Sequence, residues 1–204
     1  MDTSFTPAQE ALRRELASYM AALMTPQLRC ELALQWGTEG GGPLWRAALR
    51  QMGRDGWIGL GWPTQWGGRG FGPIEQYIFI EEVTRSGFPF PYLTPESVGP
   101  AIAEFASDEV KRKVLPGILG GELVMAIGYT EPHAGTDLAA LKTRAVRDGE
   151  HYVISGQKVF TSLAHLADYV FLAVRTGDPG THPRHKGISM LLVDGDSRGL
   201  SRTR

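Results

Sequence analysis

Hydrophobic and polar residues alternate along the first part of the chain with the period of amphipathic helices. A capping-box pattern with proline in the first turn, Thr6-Pro7-Ala8-Gln9, is followed by apolar residues at three- and four-residue spacing: Ala8, Leu12, Leu16, Tyr19, Met20 and Leu23. Similar spacing and end signals predict four further helices, over residues 44–52, 74–85, 95–105 and 108–119. The segment 57–73 is rich in glycine, and we interpret its tryptophans as packing residues of an inter-helix turn.

The pattern changes to that of strands near residue 122. Short apolar runs predict strands over residues 123–129, 141–146, 151–154, 169–175 and 187–193, and Asp148-Gly149 indicates a hairpin between the second and third. Helices come first and strands second, so the elements are segregated rather than alternating. We therefore expect an α+β protein with an all-α domain in residues 1–122 and a small β-barrel-like domain in residues 123–204.

Composition narrows the classes of function. The chain has 204 residues, 42% of them hydrophobic, and a formal net charge of -1, which gives no indication of nucleic-acid binding. Cys30 is the only cysteine, so neither an internal disulfide nor a cysteine metal cluster is expected. The sequence shows no signal-peptide pattern and no run of 18 apolar residues, so we expect a cytoplasmic protein without a membrane span.

The first candidate binding segment is Met125–Asp137. Its apolar strand breaks at Thr130, where Pro132 prevents further ladder pairing and leads the chain towards Gly135 and Thr136. A glycine lets the backbone approach a ligand closely, and the two threonines supply hydroxyl groups. An ordinary turn after a strand uses the same residue types, so this segment alone leaves both interpretations open.

The second candidate segment is Gly156–Ser162. It places an aromatic ring, Phe160, beside the hydroxyls of Thr161 and Ser162, which suits a planar ligand that needs both stacking and hydrogen bonds. The alternative is an ordinary phenylalanine buried in a strand. Lys158 is interpreted as a solvated charge at a strand end.

Taken together, in this order and spacing, the two segments resemble the flavin-contacting segments of the acyl-CoA dehydrogenase family. Residues 130–137 fit its flavin motif with a threonine where serine is more usual. Residues 61–70 resemble its proline-to-double-glycine turn, and residues 107–122 resemble the segment that leads into its β domain. The resemblance thus covers nearly the whole chain. Two segments, residues 76–82 and 160–165, are most similar to those of family members that act on bulky acyl-CoA thioesters such as steroid side chains.

The resemblance implies FAD as the cofactor and assigns roles at the site. Thr130 would hydrogen-bond the pyrimidine side of the flavin, while the backbone near Gly135 would approach the pyrophosphate. Phe160 stands where the family commonly has a tryptophan against the ring, and Ser162 where a threonine donates towards the hydride-accepting nitrogen. Thr161 is a rival for that hydroxyl role. The implied cofactor-binding set is Ile127, Tyr129, Thr130, Gly135, Thr136, Phe160, Thr161 and Ser162.

The resemblance also implies an activity and partners. It implies α,β-dehydrogenation of an acyl-CoA thioester, an electron acceptor such as electron-transfer flavoprotein, and a homo- or hetero-oligomer. The family's catalytic glutamate lies in a C-terminal four-helix bundle, so we expect the base outside this chain and an incomplete β domain within it. The alternatives are a non-catalytic flavin-binding subunit of a heteromeric dehydrogenase, or a related acyl-CoA oxidase or flavin monooxygenase.

Several polar residues near the motifs are given no ligand role. Glu131 lies in the flavin motif but is not interpreted as the base, because the family places its base much later in the chain. His133 and His165 are interpreted as ordinary loop or core residues. His182 and His185 lack a third ligand, so no zinc site is expected.

Overall fold

The structure, a computed structural model, describes residues 4–35, 40–177 and 185–203. The chain divides into two compact units, Met1–Leu123 and Val124–Arg204. In the described residues the first unit is helical and the second contains all the strands. The predicted α+β class is therefore confirmed.

Six α-helices form the described part of the first unit. The capping box at the start of the first helix is present as predicted, because Thr6 Oγ1 accepts a hydrogen bond from Gln9 N–H and Gln9 Oε1 accepts one from Thr6 N–H. Ser107 caps the last helix by accepting from the N–H of Val110. The helices are α1 (Pro7–Leu23), α2 (Pro26–Leu34), α3 (Pro43–Arg54), α4 (Pro73–Ser86), α5 (Gly99–Phe105) and α6 (Asp108–Leu119).

Two features of the helical unit differ from the predictions. Helix α2 was not predicted, although Thr25 caps it, Pro26 occupies its first position, and Leu28 and Leu32 on one face are buried. The predicted helix over 95–105 is instead a π-helical turn, Thr94–Val98, followed by the short α5. Both differences concern short helices, for which sequence periodicity is a weak signal.

The core of the helical unit is built from large apolar side chains. Helix α1 packs against α4, and Arg13 of α1 extends this contact with ion pairs to Glu81 and Glu82 of α4. The Trp62 indole N–H donates to the carbonyl oxygen of Pro95, so this tryptophan packs the turn as expected. The largest fully buried side chains of the unit are Leu16, Met20, Trp45, Leu49, Met52, Leu60, Ile78, Val83, Leu115 and Ile118.

The second unit contains one mixed sheet. Its strands are β1 (Met125–Gly128), β2 (Arg144–Asp148), β3 (His151–Ser155), β4 (Tyr169–Arg175) and β5 (Ile188–Asp194). Strand β4 pairs in parallel with β1 and antiparallel with β5, while β2 and β3 form the predicted hairpin around Gly149, whose φ is 59°.

The described strands do not close into a barrel, so the barrel-like part of the prediction is wrong for them. Strand β4 uses one edge for β5 and the other for both β1 and β2, and it meets β2 at a single pair, Arg144 with Arg175. Strands β1, β3 and β5 each pair on one side only among the described residues. Closure requires the outer strands to pair with each other, which they do not do here.

In the described part of the chain, no helix combines the length and the apolar composition needed to cross a membrane.

Candidate functional site

The first candidate segment leaves the sheet through a tight turn. Strand β1 pairs its Ile127 with Phe171 of β4, and Tyr129, directly after β1, lies with its ring centroid 6.5 Å from that of Phe171. Glu131 and Ala134 then exchange two backbone hydrogen bonds, of 2.8 and 3.1 Å, across an exposed Pro132-His133 corner. The turn carries the chain from the buried strand to the surface.

The turn leads to an open stretch of backbone at Gly135 and Thr136. Both residues are exposed. A Cβ atom built on Gly135 would find Thr130 Cγ2, at 3.9 Å, as its nearest neighbour, so no described residue of this unit crowds the position. The space beside Gly135 is consistent with the close backbone approach that a ligand would need.

Glu131 is buried, and its carboxylate accepts hydrogen bonds from several donors. Oε2 accepts from the N–H of Lys142 at 2.7 Å, and Oε1 accepts from the N–H of Thr143 at 2.8 Å. Burial by itself raises the pKa of this carboxyl, but hydrogen bonds from Thr143, from the backbone of Lys142 and from Lys158 lower the pKa to about 2. Such a carboxylate is a poor proton acceptor at neutral pH, which agrees with the expectation that Glu131 is not a catalytic base.

Lys158 is not the solvated charge that the sequence suggested. Its side chain is 9% exposed, and Nζ donates to Glu131 Oε1 at 2.9 Å and to the carbonyl oxygen of Tyr129 at 3.0 Å. The backbone N–H of Val159 also donates to the carbonyl oxygen of Thr130, at 2.9 Å. The two candidate segments, separated by about twenty residues, are thus joined side by side.

Phe160 lies at the surface of this joined pair of segments. Its side chain is 90% exposed and its φ is 55°, so the alternative of a phenylalanine buried in a strand is wrong. A bulky residue in the left-handed region is rare and costs about 1–2 kcal/mol. Exposure of an aromatic ring and backbone strain at one residue are typical of ligand-contacting positions.

The two hydroxyl candidates beside Phe160 differ in environment. Thr161 Oγ1 is buried and has no hydrogen-bond partner among the described residues. Ser162 is exposed, and its N–H donates to the carbonyl oxygen of Phe160 at 3.1 Å. A buried hydroxyl without a partner is unfavourable unless a ligand completes it, so Thr161 is a stronger candidate here than the sequence alone indicated.

The structure therefore brings most of the candidate residues into one region of the second unit. Ile127 differs from the other candidate residues, because it lies half-buried within strand β1 rather than in a loop. Sequence reasoning missed Lys158, whose burial no local pattern indicates. It also missed Gly156, where a Cβ atom would lie 2.3 Å from Thr143 Oγ1, so this position accepts only glycine without movement.

The histidines do not form a metal site in the described residues. His133 Nε2 lies 3.3 Å from Glu131 Oε2 on an exposed side chain, and His185 is described whereas His182 lies outside the described residues. Within residues 4–35, 40–177 and 185–203, no three His, Cys, Asp or Glu side chains are grouped so as to hold a metal ion.

Comparisons with known proteins match the whole chain. The model of the acyl-CoA dehydrogenase N-terminal domain matches residues 6–122, and that of the acyl-CoA dehydrogenase middle domain matches residues 126–204. The acyl-CoA dehydrogenase FadE26 of Mycobacterium tuberculosis is 51% identical over 204 residues, which are 100% of this chain and 51% of FadE26. The chain thus spans about half the length of the curated relatives it matches.

Solved structures give the same result. A chain of the ChsE4–ChsE5 complex from Mycobacterium tuberculosis superposes with a TM-score of 0.90 at 51% identity, covering 100% of this chain and 50% of that chain. A chain of the Tcur3481–Tcur3483 steroid acyl-CoA dehydrogenase superposes with a TM-score of 0.88 at 48% identity, covering 98% of this chain and 51% of that chain. On these matches and on the two joined segments, the chain belongs to the acyl-CoA dehydrogenase family.

Proposed function

We propose that this chain contributes the N-terminal and middle domains of an FAD-dependent dehydrogenase that oxidises the α,β bond of an acyl-CoA thioester. The observation that carries the proposal is the junction of the two segments in the second unit. Lys158 and Val159 hold the second segment against the first, and this brings the exposed Phe160, which directly follows Val159, close to Thr130 in the fold.

The residues of the junction fit a flavin. Phe160 offers an exposed aromatic face for stacking on the ring, and Thr161 offers a buried hydroxyl with no partner in the described structure. Gly135 and Thr136 offer uncrowded, exposed backbone for a pyrophosphate. FAD, when bound, supplies the hydride acceptor for the β-carbon of the substrate.

The residues of this chain orient the cofactor, and they do not supply the base. Removal of the α-proton needs a carboxylate with an available lone pair and a pKa near that of a general base. Glu131, the acid within the flavin motif, is buried. Its carboxylate already accepts hydrogen bonds from several groups of this chain, and its pKa is about 2. We therefore propose that the base lies outside the two segments.

The assembly that we propose is heteromeric, and the acyl group is bulky. Two structural neighbours with about half of their length matched are described as complexes of two different chains, and one of these as a steroid acyl-CoA dehydrogenase. By this analogy, a second chain completes the site and the acyl group resembles a steroid side chain. The family resemblance further implies that an electron-transfer flavoprotein reoxidises the flavin.

The test is flavin content and flavin reduction with and without a partner chain. The protein is purified alone and after co-expression with a candidate partner subunit of the same family, and the flavin released by heat is identified. We expect little FAD on the chain alone and about one FAD per site in the complex. Anaerobic addition of a steroid-side-chain acyl-CoA should bleach the bound flavin faster than a straight-chain acyl-CoA does.

Three results would contradict the proposal. Tight, stoichiometric FAD on a monomer of this chain would show that the site is complete without a partner. Bound flavin that acyl-CoA thioesters do not bleach would favour a non-catalytic flavin subunit or a flavin monooxygenase. Rapid oxygen consumption during turnover would instead assign the complex to the acyl-CoA oxidases. Phe160→Ala in the same preparation serves as the site control and should lower the FAD content.

A further inference from the structure

Arg202 donates hydrogen bonds to the loop that carries Phe160. We call residues 160–167 the Phe160 loop. The Arg202 guanidinium donates to the carbonyl oxygens of Ala164 at 2.9 Å and Ala167 at 3.1 Å, both in this loop. It also donates to the carbonyl oxygen of Gly195 at 2.7 Å, just after β5. One side chain thus joins the Phe160 loop to the end of the sheet.

The Phe160 loop needs such support because its backbone is strained. Phe160 has a φ of 55° and Leu163 a φ of 63°, and neither is a glycine. Inside the loop, the N–H groups of Leu166 and Ala167 both donate to the carbonyl oxygen of Leu163, at 2.8 and 2.9 Å. Strained conformations of this kind persist only where surrounding contacts hold them, and Arg202 supplies contacts from outside the loop.

The base of the loop is fitted closely to the same segment. Gly195 N–H donates to the carbonyl oxygen of Asp168 at 2.8 Å, and a Cβ atom at Gly195 would lie 2.6 Å from the carbonyl oxygen of Ala167. Ala164 and Ala167 also pack in an apolar cluster with Ala126 of β1. The loop is therefore fixed at its far end, where Arg202 donates to the carbonyl oxygens of Ala164 and Ala167.

Arginine is suited to this arrangement for a geometric reason. Its planar guanidinium has five N–H donors in a fixed fork and can bind several carbonyl oxygens at once, whereas a lysine ammonium acts as a compact point charge. We propose that Arg202 is a positioning residue, which fixes the Phe160 loop in the conformation that presents the Phe160 ring to the flavin. This inference rests on the proposed function, because it takes Phe160 to be the flavin contact.

Hydrogen exchange in the flavin-free chain tests the positioning directly. We compare the wild type with Arg202→Gln, Arg202→Lys and, as a matched control, Arg198→Gln, which alters an exposed arginine four residues earlier. In Arg202→Gln the amides of the Phe160 loop should exchange about tenfold faster, since hydrogen bonds from a charged donor are lost. Arg202→Lys should recover part of the protection, and Arg198→Gln should match the wild type.

Two outcomes of that comparison would overturn the inference. Unchanged exchange of the Phe160 loop in Arg202→Gln would show that the arginine does not hold it. Equal acceleration of the loop and of strands β1 and β4 would show that Arg202 stabilises the whole unit rather than positioning the loop.

Titration with FAD separates this inference from the proposed function, and it is made on the flavin-free complex with the partner chain because the proposed site is incomplete without that partner. FAD should slow exchange of the Phe160 loop in the wild type, and in Arg202→Gln the FAD concentration needed for half of that effect should rise about tenfold, because fewer molecules have the competent loop. If both proteins need the same FAD concentration for half of the effect, the positioning role of Arg202 is overturned. No effect of FAD on the wild-type loop would instead contradict the flavin site, and the exchange difference between the apo proteins would still stand.

Discussion

Lys158 Nζ lies 2.9 Å from Glu131 Oε1, and the two side chains are 9% and 2% exposed. Each residue belongs to a different candidate segment, so this nearly buried ion pair joins them. The same lysine also donates to the carbonyl oxygen of Tyr129, which directly follows β1. The conformation of the site therefore depends on a pair of charges that themselves need not touch a ligand.

Removing the lysine should destabilise the second unit. In Lys158→Met, Glu131 keeps its backbone donors but stays buried without its counter-charge, and breaking a buried pair in this way costs about 3 kcal/mol. Urea denaturation followed by circular dichroism measures the change in free energy of unfolding. Lys142→Met is the control, because the Lys142 side chain is exposed and its backbone N–H alone binds Glu131. An equal loss in both variants would contradict the structural role of the ion pair.

Stability should also depend on pH through Glu131. The pKa of this carboxyl is about 2 in the folded protein against 4.5 ordinarily, so the folded state favours the charged form. Its contribution is fully present above about pH 5 and is lost as the pH falls towards about 2; the difference between the two pKa values corresponds to about 3 kcal/mol. Urea denaturation at pH 7, 5 and 3.5 should show a steeper fall for the wild type than for Glu131→Gln. Parallel curves would show that other carboxylates account for the acid sensitivity.

At Phe160 the usual order of alanine and glycine should be reversed. Both substitutions remove the ring and should weaken FAD binding alike, by about 1–3 kcal/mol. Because φ is 55° at this position, Phe160→Gly should be more stable than Phe160→Ala by about 1 kcal/mol, whereas glycine is the less stable of the two at ordinary positions. Thermal denaturation of the flavin-free variants gives the order. Greater stability of the alanine variant would mean that the backbone at Phe160 is not held in the left-handed region.

Gly135→Ala should separate flavin binding from folding. Among the described residues, a Cβ atom at Gly135 meets nothing closer than 3.9 Å, so the stability of the flavin-free chain should change by less than about 0.5 kcal/mol. If the backbone approaches the pyrophosphate here, the added methyl group should raise the Kd for FAD about tenfold or more. Fluorescence titration with FAD measures this, and an unchanged Kd would remove Gly135 from the site. Gly156→Ala is the contrasting variant, since a Cβ atom there would lie 2.3 Å from Thr143 and should destabilise the fold itself.

The two hydroxyls beside Phe160 can be distinguished in the assembled enzyme. Thr161→Val removes a buried hydroxyl that has no partner in the described structure, so it should leave stability unchanged or slightly higher. If this hydroxyl donates to the flavin as charge develops there, flavin bleaching by acyl-CoA should slow by about 10²-fold, with little change in FAD content. Stopped-flow absorbance compares this variant with Ser162→Ala. If flavin bleaching slows only in Ser162→Ala, the hydroxyl that donates to the flavin is that of Ser162.

Local signals in the sequence were sufficient where an element is fixed by its own residues. The capping box at Thr6 and the Asp148-Gly149 hairpin both occur where they were predicted, because each depends on hydrogen bonds or dihedral preferences a few residues apart. Helix α2 was missed because its nine residues offer only two buried leucines on one face, too few to give a clear period.

Residue type and spacing along the chain were enough to predict the order of helices and strands and the two segments that identify the family. The fold was needed to show that the described strands form an open sheet, that Lys158 packs against Glu131 with its side chain nearly buried, and that Phe160 is exposed in a left-handed conformation. These features depend on contacts between residues far apart in sequence, such as Lys158 with Tyr129 or Arg202 with Ala164. Burial and backbone strain at one position are set by which distant groups pack against it, and no local pattern records that.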